Sequence, residues 1–418
     1  MNLKMAAKNQ ARRIFLWALR GTARPSLFYR TPKLTPTDIK PPHKLLLVRP
    51  DHLGDVLWIT PALNLLRRAL PNTEITAMVG PWGAAALENN PDLDRIIRCE
   101  FPGFSRQPKR SWFEPYLYVL QQSRLLRNYG YDAAINLRND FWWGALLLYL
   151  ADLPLRFGYA WPEASKFLTH PLAIPSPLSS PKVSQLPFGQ RATHSAAMNL
   201  ALARFALQTF GLDTTALPMS DQEAGVKFIP AADDVRFVSL HLSEWGINRQ
   251  DKMIVVHPGT GATIKLWTTE NFAAMVDALA QHYGAYVILA GGEGERRLLL
   301  DIIKLTKSQP LTWEVGGLGR LSALYKRANL VVGLDSGPLH LAVATDTPTI
   351  QLFGPTDPDV FGPWGDPQRH RVVRTQVDLP CRPCGILDFK RVCDSGGYCM
   401  RTIKVGQVLD VVDQLLEN

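Results

Sequence analysis

Four residues with complementary chemistry, Asp335-Ser336-Gly337-Pro338, stand between the end of an apolar run and the start of a helical pattern, with His340 two positions further on. A strand-to-helix joint of this composition suits an anion. The first amides of a helix have no intrahelical acceptor, the dipole places partial positive charge there, glycine lets a ligand approach the backbone, and proline suits the first helical turn. Asp335 adds an acceptor for hydroxyls. The same residues would also serve an ordinary αβ joint, with Asp or Ser as N-cap and His340 packed in the helix.

Three other loops carry comparable chemistry. Arg49-Pro50-Asp51-His52-Leu53-Gly54-Asp55 follows the apolar run Lys44 to Val48. Asp55 there reads either as an N-cap or as a general base that takes a proton from an attacking hydroxyl, with Arg49, His52 and Gly54 beside it on the acceptor side. His257-Pro258-Gly259-Thr260-Gly261-Ala262 leads to Lys265-Leu266-Trp267. Its small residues and hydroxyl suit a phosphate and Lys265 supplies charge to neutralise one; a flexible turn with a solvated lysine is the plainer reading. Ala290-Gly291-Gly292-Glu293-Gly294-Glu295 offers two carboxylates, either of which can accept hydrogen bonds from a ribose, or simply favour a helix start. None of these loops has the three-glycine dinucleotide fingerprint or the Gly-Lys-Ser/Thr ending of a Walker loop, which argues against a nicotinamide enzyme and a P-loop NTPase. Cys381, Cys384, Cys393 and Cys399 match a tetrahedral metal site in number but not in any well-marked zinc spacing, so loop thiols are the expected reading and metal the weaker one.

The loops recur after apolar runs, which identifies the elements that must position them. Lys44–Val48, Ile75–Val79, Leu93–Arg98 and Tyr131–Leu137 alternate with helical patterns, and after a Pro- and Ser-rich stretch from Pro171 to Gly189 and a helix near His194–Gly211 the alternation restarts. The second series is Ile254–Val256, a helix over Thr269–Tyr283, Ala285–Ala290, a helix over Glu293–Thr306, Leu330–Val332, Thr349–Phe353 and a closing helix over Val405–Leu416. Continuous apolar runs alternating with helices indicate two doubly wound parallel sheets, an α/β fold. We expect a tail over residues 1–40, an N-terminal domain over 41–235 and a C-terminal domain over 236–418 whose last helix returns to the first domain. Ligands of such sheets bind beyond the strand C-termini, so loops from both halves can meet in one cleft.

A chain of 418 residues, 46% apolar and 20% charged, has ample core for two domains. Its net charge of +9 sits almost entirely in the first 40 residues, where nine Lys and Arg stand against Asp38 alone. The folded body is therefore near neutral, and nucleic acid is not an expected partner. Within the tail, Ile14 to Leu19 between Arg12-Arg13 and Arg20 suits an amphipathic helix on anionic lipid and is too short to span a bilayer. No cleavable signal pattern is present, and the cysteines do not form a disulfide framework, so a cytoplasmic protein peripheral to the inner face of the membrane is expected. A basic, aromatic stretch from Phe101 to Asn128 is either a solvated helix face or a surface for an anionic acceptor.

Taken together, Arg49 through Val56 with Thr60-Pro61-Ala62-Leu63, His257-Pro258-Gly259 with Lys265-Leu266-Trp267, and Asp335 through Ala342 with Leu352-Phe353-Gly354-Pro355-Thr356 resemble glycosyltransferase family 9, the lipopolysaccharide heptosyltransferase family. The resemblance runs from about Lys44 to the C-terminus. It implies a GT-B architecture, two Rossmann-like domains with the acceptor held by the first and the nucleotide-sugar by the second. It further implies inverting transfer with no cofactor and no catalytic metal, with heptose from ADP-heptose as the expected donor. The expected acceptor is a hydroxyl of a lipid-linked or oligosaccharide lipopolysaccharide core or related surface glycan. On this analogy Asp55 is the base, Lys265 meets the donor diphosphate, and Asp335-Ser336-Gly337 with His340 and Thr260 surround the diphosphate and sugar. Glu293 or Glu295 would hold the ribose. A transferase using another nucleotide-sugar and acceptor, or a non-catalytic nucleotide-sugar binder, are the alternative readings. If the tail is a lipid anchor, deleting residues 1–40 will lower co-sedimentation with anionic vesicles at low salt, whereas unchanged binding would contradict it.

Overall fold

The computed structural model describes residues 39–105, 111, 113–175, 194–215, 225–382, 384, 393 and 395–416. The basic tail, most of the Pro- and Ser-rich stretch and part of the Phe101–Asn128 segment therefore lie outside the described residues.

Strands β1 (Lys44–Arg49), β2 (Glu74–Val79), β3 (Arg95–Arg98), β4 (Ala133–Asn136), β5 (Leu155–Tyr159) and β6 (His170–Leu172) form one parallel sheet in the order β3-β2-β1-β4-β5-β6. Strands β7 (Met253–His257), β8 (Tyr286–Ala290), β9 (Leu311–Trp313), β10 (Leu330–Leu334), β11 (Thr349–Phe353) and β12 (His370–Arg374) form a second in the order β12-β11-β10-β7-β8-β9. Counted from its own first strand, each sheet has the 3-2-1-4-5-6 order of a dinucleotide-binding fold. The order reverses between β1 and β4 in one and between β7 and β10 in the other, and a ligand crevice opens at such a reversal.

The first half carries helices α1 (Leu53–Leu57), α2 (Thr60–Ala69), α3 (Pro81–Ala84), α4 (Glu114–Arg127), α5 (Trp142–Leu150) and α6 (Ser195–Thr209). The second carries α7 (Ala232–Glu244), α8 (Thr269–Tyr283), α9 (Arg296–Ile303), α10 (Leu318–Arg327), α11 (Gly337–Ala344), α12 (Pro358–Phe361), α13 (Tyr398–Arg401) and α14 (Val405–Leu416). Strand alternation divides the apolar residues among three cores. Leu46, Val48 and Met78 face one core under α4 and α5, and Ile254, Val256 and Val332 face another under α8 and α14. Leu45 and Leu47 of the first sheet and Val255 and Val331 of the second belong to a single core that runs from one lobe into the other.

Two features of the second half bear on where the domains divide. A boundary between 235 and 236 would cut α7, which packs along α10 beside the second sheet; we propose that the division lies in the link before Ala232. That link is pinned to both halves, Lys227 N–H donating to Thr60 Oγ1 at 3.0 Å and Phe228 N–H to the Ala344 carbonyl at 3.0 Å. Among the described residues the closing helix α14 packs on the second lobe. Val408 and Val412 are buried against α8, β11 and β12, because its apolar face completes the outer core of the second sheet.

Trp313, at the end of β9, is 1% exposed and packs edge-on against Phe237, His241 and Trp245, joining α7 to the sheet. Trp313→Ala should cost about 3–5 kcal/mol in urea unfolding, and a loss below about 1 kcal/mol would show that α7 is held by something else.

Candidate active site

The two crevices face each other. At the start of α1 an added Cβ on Gly54 would fall 2.8 Å from His340 Cδ2, and at the start of α11 one on Gly337 would fall 3.1 Å from Leu53 Cβ. Only glycine at both positions allows this approach without displacing a neighbour. Trp58 closes the seam, its ring edge-on to His340 at 4.6 Å and to His194 at 5.2 Å, with Phe361 at 6.1 Å. His194 in turn contacts the Gly362 carbonyl through Nε2 at 3.0 Å, and burial pushes its pKa down to about 4.

Beside the seam lies an open cleft of about 680 Å³. Its lining includes His52, Gly54, Asp55, Trp82 and Glu100 from the first lobe and Thr260, Lys265, Asp335, Ser336, Gly337, His340 and Thr356 from the second. Asp55 and Lys265 thus share one cavity.

On the second-lobe wall, Asp335 gathers the polar groups. Its Oδ2 accepts from Lys265 Nζ at 2.6 Å and from Thr356 Oγ1 at 2.5 Å; its Oδ1 stands 3.8 Å from His340 Nε2, and its carbonyl accepts from Thr260 Oγ1 at 3.2 Å. Burial alone would push this carboxyl up, yet Lys265 and His340 together pull it down to about 2. Helix α11 begins here with Ser336 in extended conformation and no side-chain cap, and the buried Ser336 hydroxyl and His340 Nδ1 have no partner among the described residues. An uncapped helix start flanked by buried, unpartnered polar atoms and a lysine fits phosphate oxygens and sugar hydroxyls.

On the first-lobe wall Asp55 is partly exposed to the cleft, its side chain 31% accessible. Arg49 was expected to contact acceptor, but its side chain is 7% exposed and does not line the cleft. Its guanidinium lies behind Asp55, 3.2 Å from Asp55 Oδ1 and 2.6 Å from Asp51 Oδ2, and also donates to Asn199 Oδ1 at 3.2 Å and the Leu137 carbonyl at 3.3 Å. Arg138, from the loop after β4, pairs with the same buried Asp51. Burial, then the Asp51 charge, raises the Asp55 pKa against the opposing pull of Arg49 and Arg138.

Neither glutamate of the third loop lines the cleft. Glu295 Oε2 accepts from Gly292 N–H at 2.8 Å and stands 3.6 Å from His257 Nε2, with its carboxylate over Gly259 where an added Cβ would collide with it. His257 is braced from behind by Tyr325 OH at 2.9 Å from Nδ1. Burial opposes ionisation of Glu295, but hydrogen bonding and charge from His257 lower its pKa. Glu293 is exposed in the turn before α9. The geometry therefore distinguishes the two residues. No disulfide joins Cys381, Cys384, Cys393 or Cys399, and no group of three or more metal-ligating side chains occurs among the described residues.

Several cleft residues carry no distinctive motif. Trp58, Trp82 and Glu100 have no spacing signal, whereas Thr356 in the cleft and Asp51 buried behind it stand within the quoted motifs and were legible only as neighbours of Gly354 and Asp55.

Comparison with known proteins agrees with this architecture. Residues 119–385 match the model of glycosyltransferase family 9 (heptosyltransferase). The chain is 27% identical over 352 residues to lipopolysaccharide heptosyltransferase 3 of Escherichia coli K12, covering 79% of this chain and 92% of that protein. It is 24% identical over 360 residues to lipopolysaccharide heptosyltransferase 1 of Pseudomonas aeruginosa, covering 84% and 87%. Among solved structures it is similar to a family 9 glycosyltransferase from Veillonella parvula, with a TM-score of 0.68 and 21% identity over 90% of this chain and 98% of that one. It is also similar to Escherichia coli ADP-heptose lipopolysaccharide heptosyltransferase II, with a TM-score of 0.64 and 19% identity over 90% and 99%.

Because Asp335 is held ionised well below the ordinary value of 3.8, its contribution to stability is complete above about pH 4 and lost as pH falls toward 2. A shift of this size corresponds to about 2 kcal/mol. Urea midpoints measured between pH 5 and pH 2 should show this loss in the parent and not in Asp335→Asn; equal acid sensitivity would contradict the pairing. The two-sheet fold, the opposed crevices and the family match identify this chain as a member of glycosyltransferase family 9, a glycosyltransferase of GT-B architecture.

Proposed function

We propose that this protein transfers heptose from ADP-heptose to a hydroxyl of the lipopolysaccharide core, with inversion at the anomeric carbon and without a catalytic metal. The observation that carries the reading is the placement of Asp55 and the Lys265–Asp335 pair on opposite walls of one cleft. A single displacement needs a base behind the acceptor hydroxyl and positive charge at the departing diphosphate, on opposite faces of the reacting carbon.

In this scheme Asp55 removes the acceptor proton as the oxygen attacks. Its raised pKa makes it a stronger base than an exposed carboxylate, and Arg49 fixes its orientation from behind, where no acceptor reaches. On the other wall the diphosphate meets Lys265 and the first amides of α11. Asp335 orients Lys265 and Thr356, and hydroxyls of the sugar meet Ser336 and His340. Of the two glutamates Glu295 is the one assigned to the ribose, which would extend past the cleft residue Thr260 toward the carboxylate held over Gly259, while Glu293 lies in the exposed turn. Heptose as donor sugar and a lipopolysaccharide acceptor are supported by the similarity to lipopolysaccharide heptosyltransferases 3 and 1, and ADP-heptose by the similarity to the ADP-heptose lipopolysaccharide heptosyltransferase II. No described helix is long and apolar enough to cross a membrane, and we propose that the basic tail brings the enzyme to the lipid-borne acceptor at the cytoplasmic face.

Asp55→Asn should lower kcat by about 10²–10⁴-fold while the Kd for ADP-heptose changes little. Near-parent turnover would overturn the base assignment. In the parent, kcat/KM should fall as pH drops through an apparent pKa above the ordinary aspartate value, since the ionised form is the reactive one. Thermal shifts with ADP-heptose, UDP-sugars and GDP-sugars test the donor: stabilisation by a UDP- or GDP-sugar alone would replace it.

A further inference from the structure

The acceptor side of the cleft contains a flat aromatic surface that the transfer chemistry does not use. Trp82 follows β2 in the short segment Gly80-Pro81-Trp82-Gly83, and its ring folds back over Gly80 so closely that an added Cβ there would fall 2.2 Å from Cε2. On the other side of the residue, a Cβ on Gly83 would fall 2.8 Å from Val56 Cγ2. Indole Nε1 donates to the Pro50 carbonyl at 3.1 Å and the Asp51 carbonyl at 2.9 Å, which ties the ring edge to the loop that carries Asp55. His52 leans on the ring at 5.6 Å. The indole is thus held in place by its own N–H, by its packing over Gly80 and by a neighbouring ring, and it remains part of the cleft lining.

Glu100 completes this corner. It lies just beyond β3, is exposed, lines the same cleft, and has no ion pair with a described residue; its amide donates to Tyr118 OH at 3.2 Å. A carboxylate is acceptor-only when ionised and matches a pair of hydroxyls. A fixed indole face offers apolar area and a negative ring centre, which suit the weakly positive C–H face of a pyranose.

We infer that Trp82 and Glu100 form the subsite for the acceptor sugar, with one face of a pyranose stacked on the indole and its hydroxyls donating to Glu100. This deepens the proposed function and rests on it for the identity of the sugar. The stacked ring is placed next to Asp55, because the indole is bonded to the backbone of the Asp55 loop. The subsite selects a hydroxyl-bearing ring by shape and face, so it acts on acceptor and not on the nucleotide.

The test separates the two claims. Binding of a deacylated lipopolysaccharide-core oligosaccharide ending in heptose is followed by calorimetry in the absence of any donor. The parent should bind it; Trp82→Leu should weaken binding by about tenfold or more, Trp82→Phe by only a few fold because a ring face remains, and Glu100→Gln by about tenfold. The Kd of each variant for ADP should stay within about twofold of the parent, which also shows that the variants are folded. No binding by the parent, equal binding by parent and Trp82→Leu, or a parallel loss of ADP affinity would each overturn the subsite. Transfer assays on the same oligosaccharide then judge the donor alone. Intact binding without transfer from ADP-heptose would remove the proposed donor and leave the subsite standing.

Discussion

The organisation of this enzyme depends on how closely two helix starts approach one another. Gly54 lies against the His340 ring and Gly337 against the Leu53 side chain, so α1 of one lobe and α11 of the other meet with only those two side chains packed between them. Each helix follows the first or fourth strand of its sheet, at the point where strand order reverses. Their contact therefore presses two ligand crevices into one cleft. A larger residue at Gly54 would press on the His340 ring and one at Gly337 on the Leu53 side chain, so either would disturb this approach. The His340, His194 and Phe361 rings, packed around Trp58, hold the same seam from the side.

Electrostatics then assign opposite properties to two aspartates that are alike in sequence. Asp55 lies near Asp51, with burial raising its pKa, so it is disposed to take up a proton. Asp335 lies against Lys265 and near His340 and stays ionised, so it serves as a fixed acceptor that orients a cation. Separating pKa values through environment is how a site obtains different roles from one side-chain type. Arg49 and Arg138 converge on the buried Asp51, a cluster that offsets the desolvation of all three charges and leaves Asp55 as its one member open to the cleft.

Much of this was legible beforehand because it rests on local chemistry. Uninterrupted apolar runs such as Leu45–Val48 and Leu330–Val332 mark strands buried on both faces, and polar loops directly after them mark the crevice. Helices α8 and α14 coincide with the expected ranges because each carries an unbroken apolar face. The edge strands β6, β9 and β12 gave little signal: they are three to five residues long, and each has a partner on one side only. Arg49 shows a different limit. Its position in a motif marks it as important, but whether a guanidinium points into a cleft or behind it depends on Asp51, Leu137 and Asn199, which only the fold brings together. Trp82 and Glu100 likewise acquire meaning through proximity to Asp55, which no spacing rule encodes.

The most direct measurement is a crystal structure of Asp55→Asn with intact ADP-heptose, in which turnover cannot consume the donor. The account requires the diphosphate against Lys265 and the first amides of α11, with the anomeric carbon turned toward residue 55 across the cleft. A diphosphate bound elsewhere, or an anomeric carbon facing away from residue 55, would contradict it.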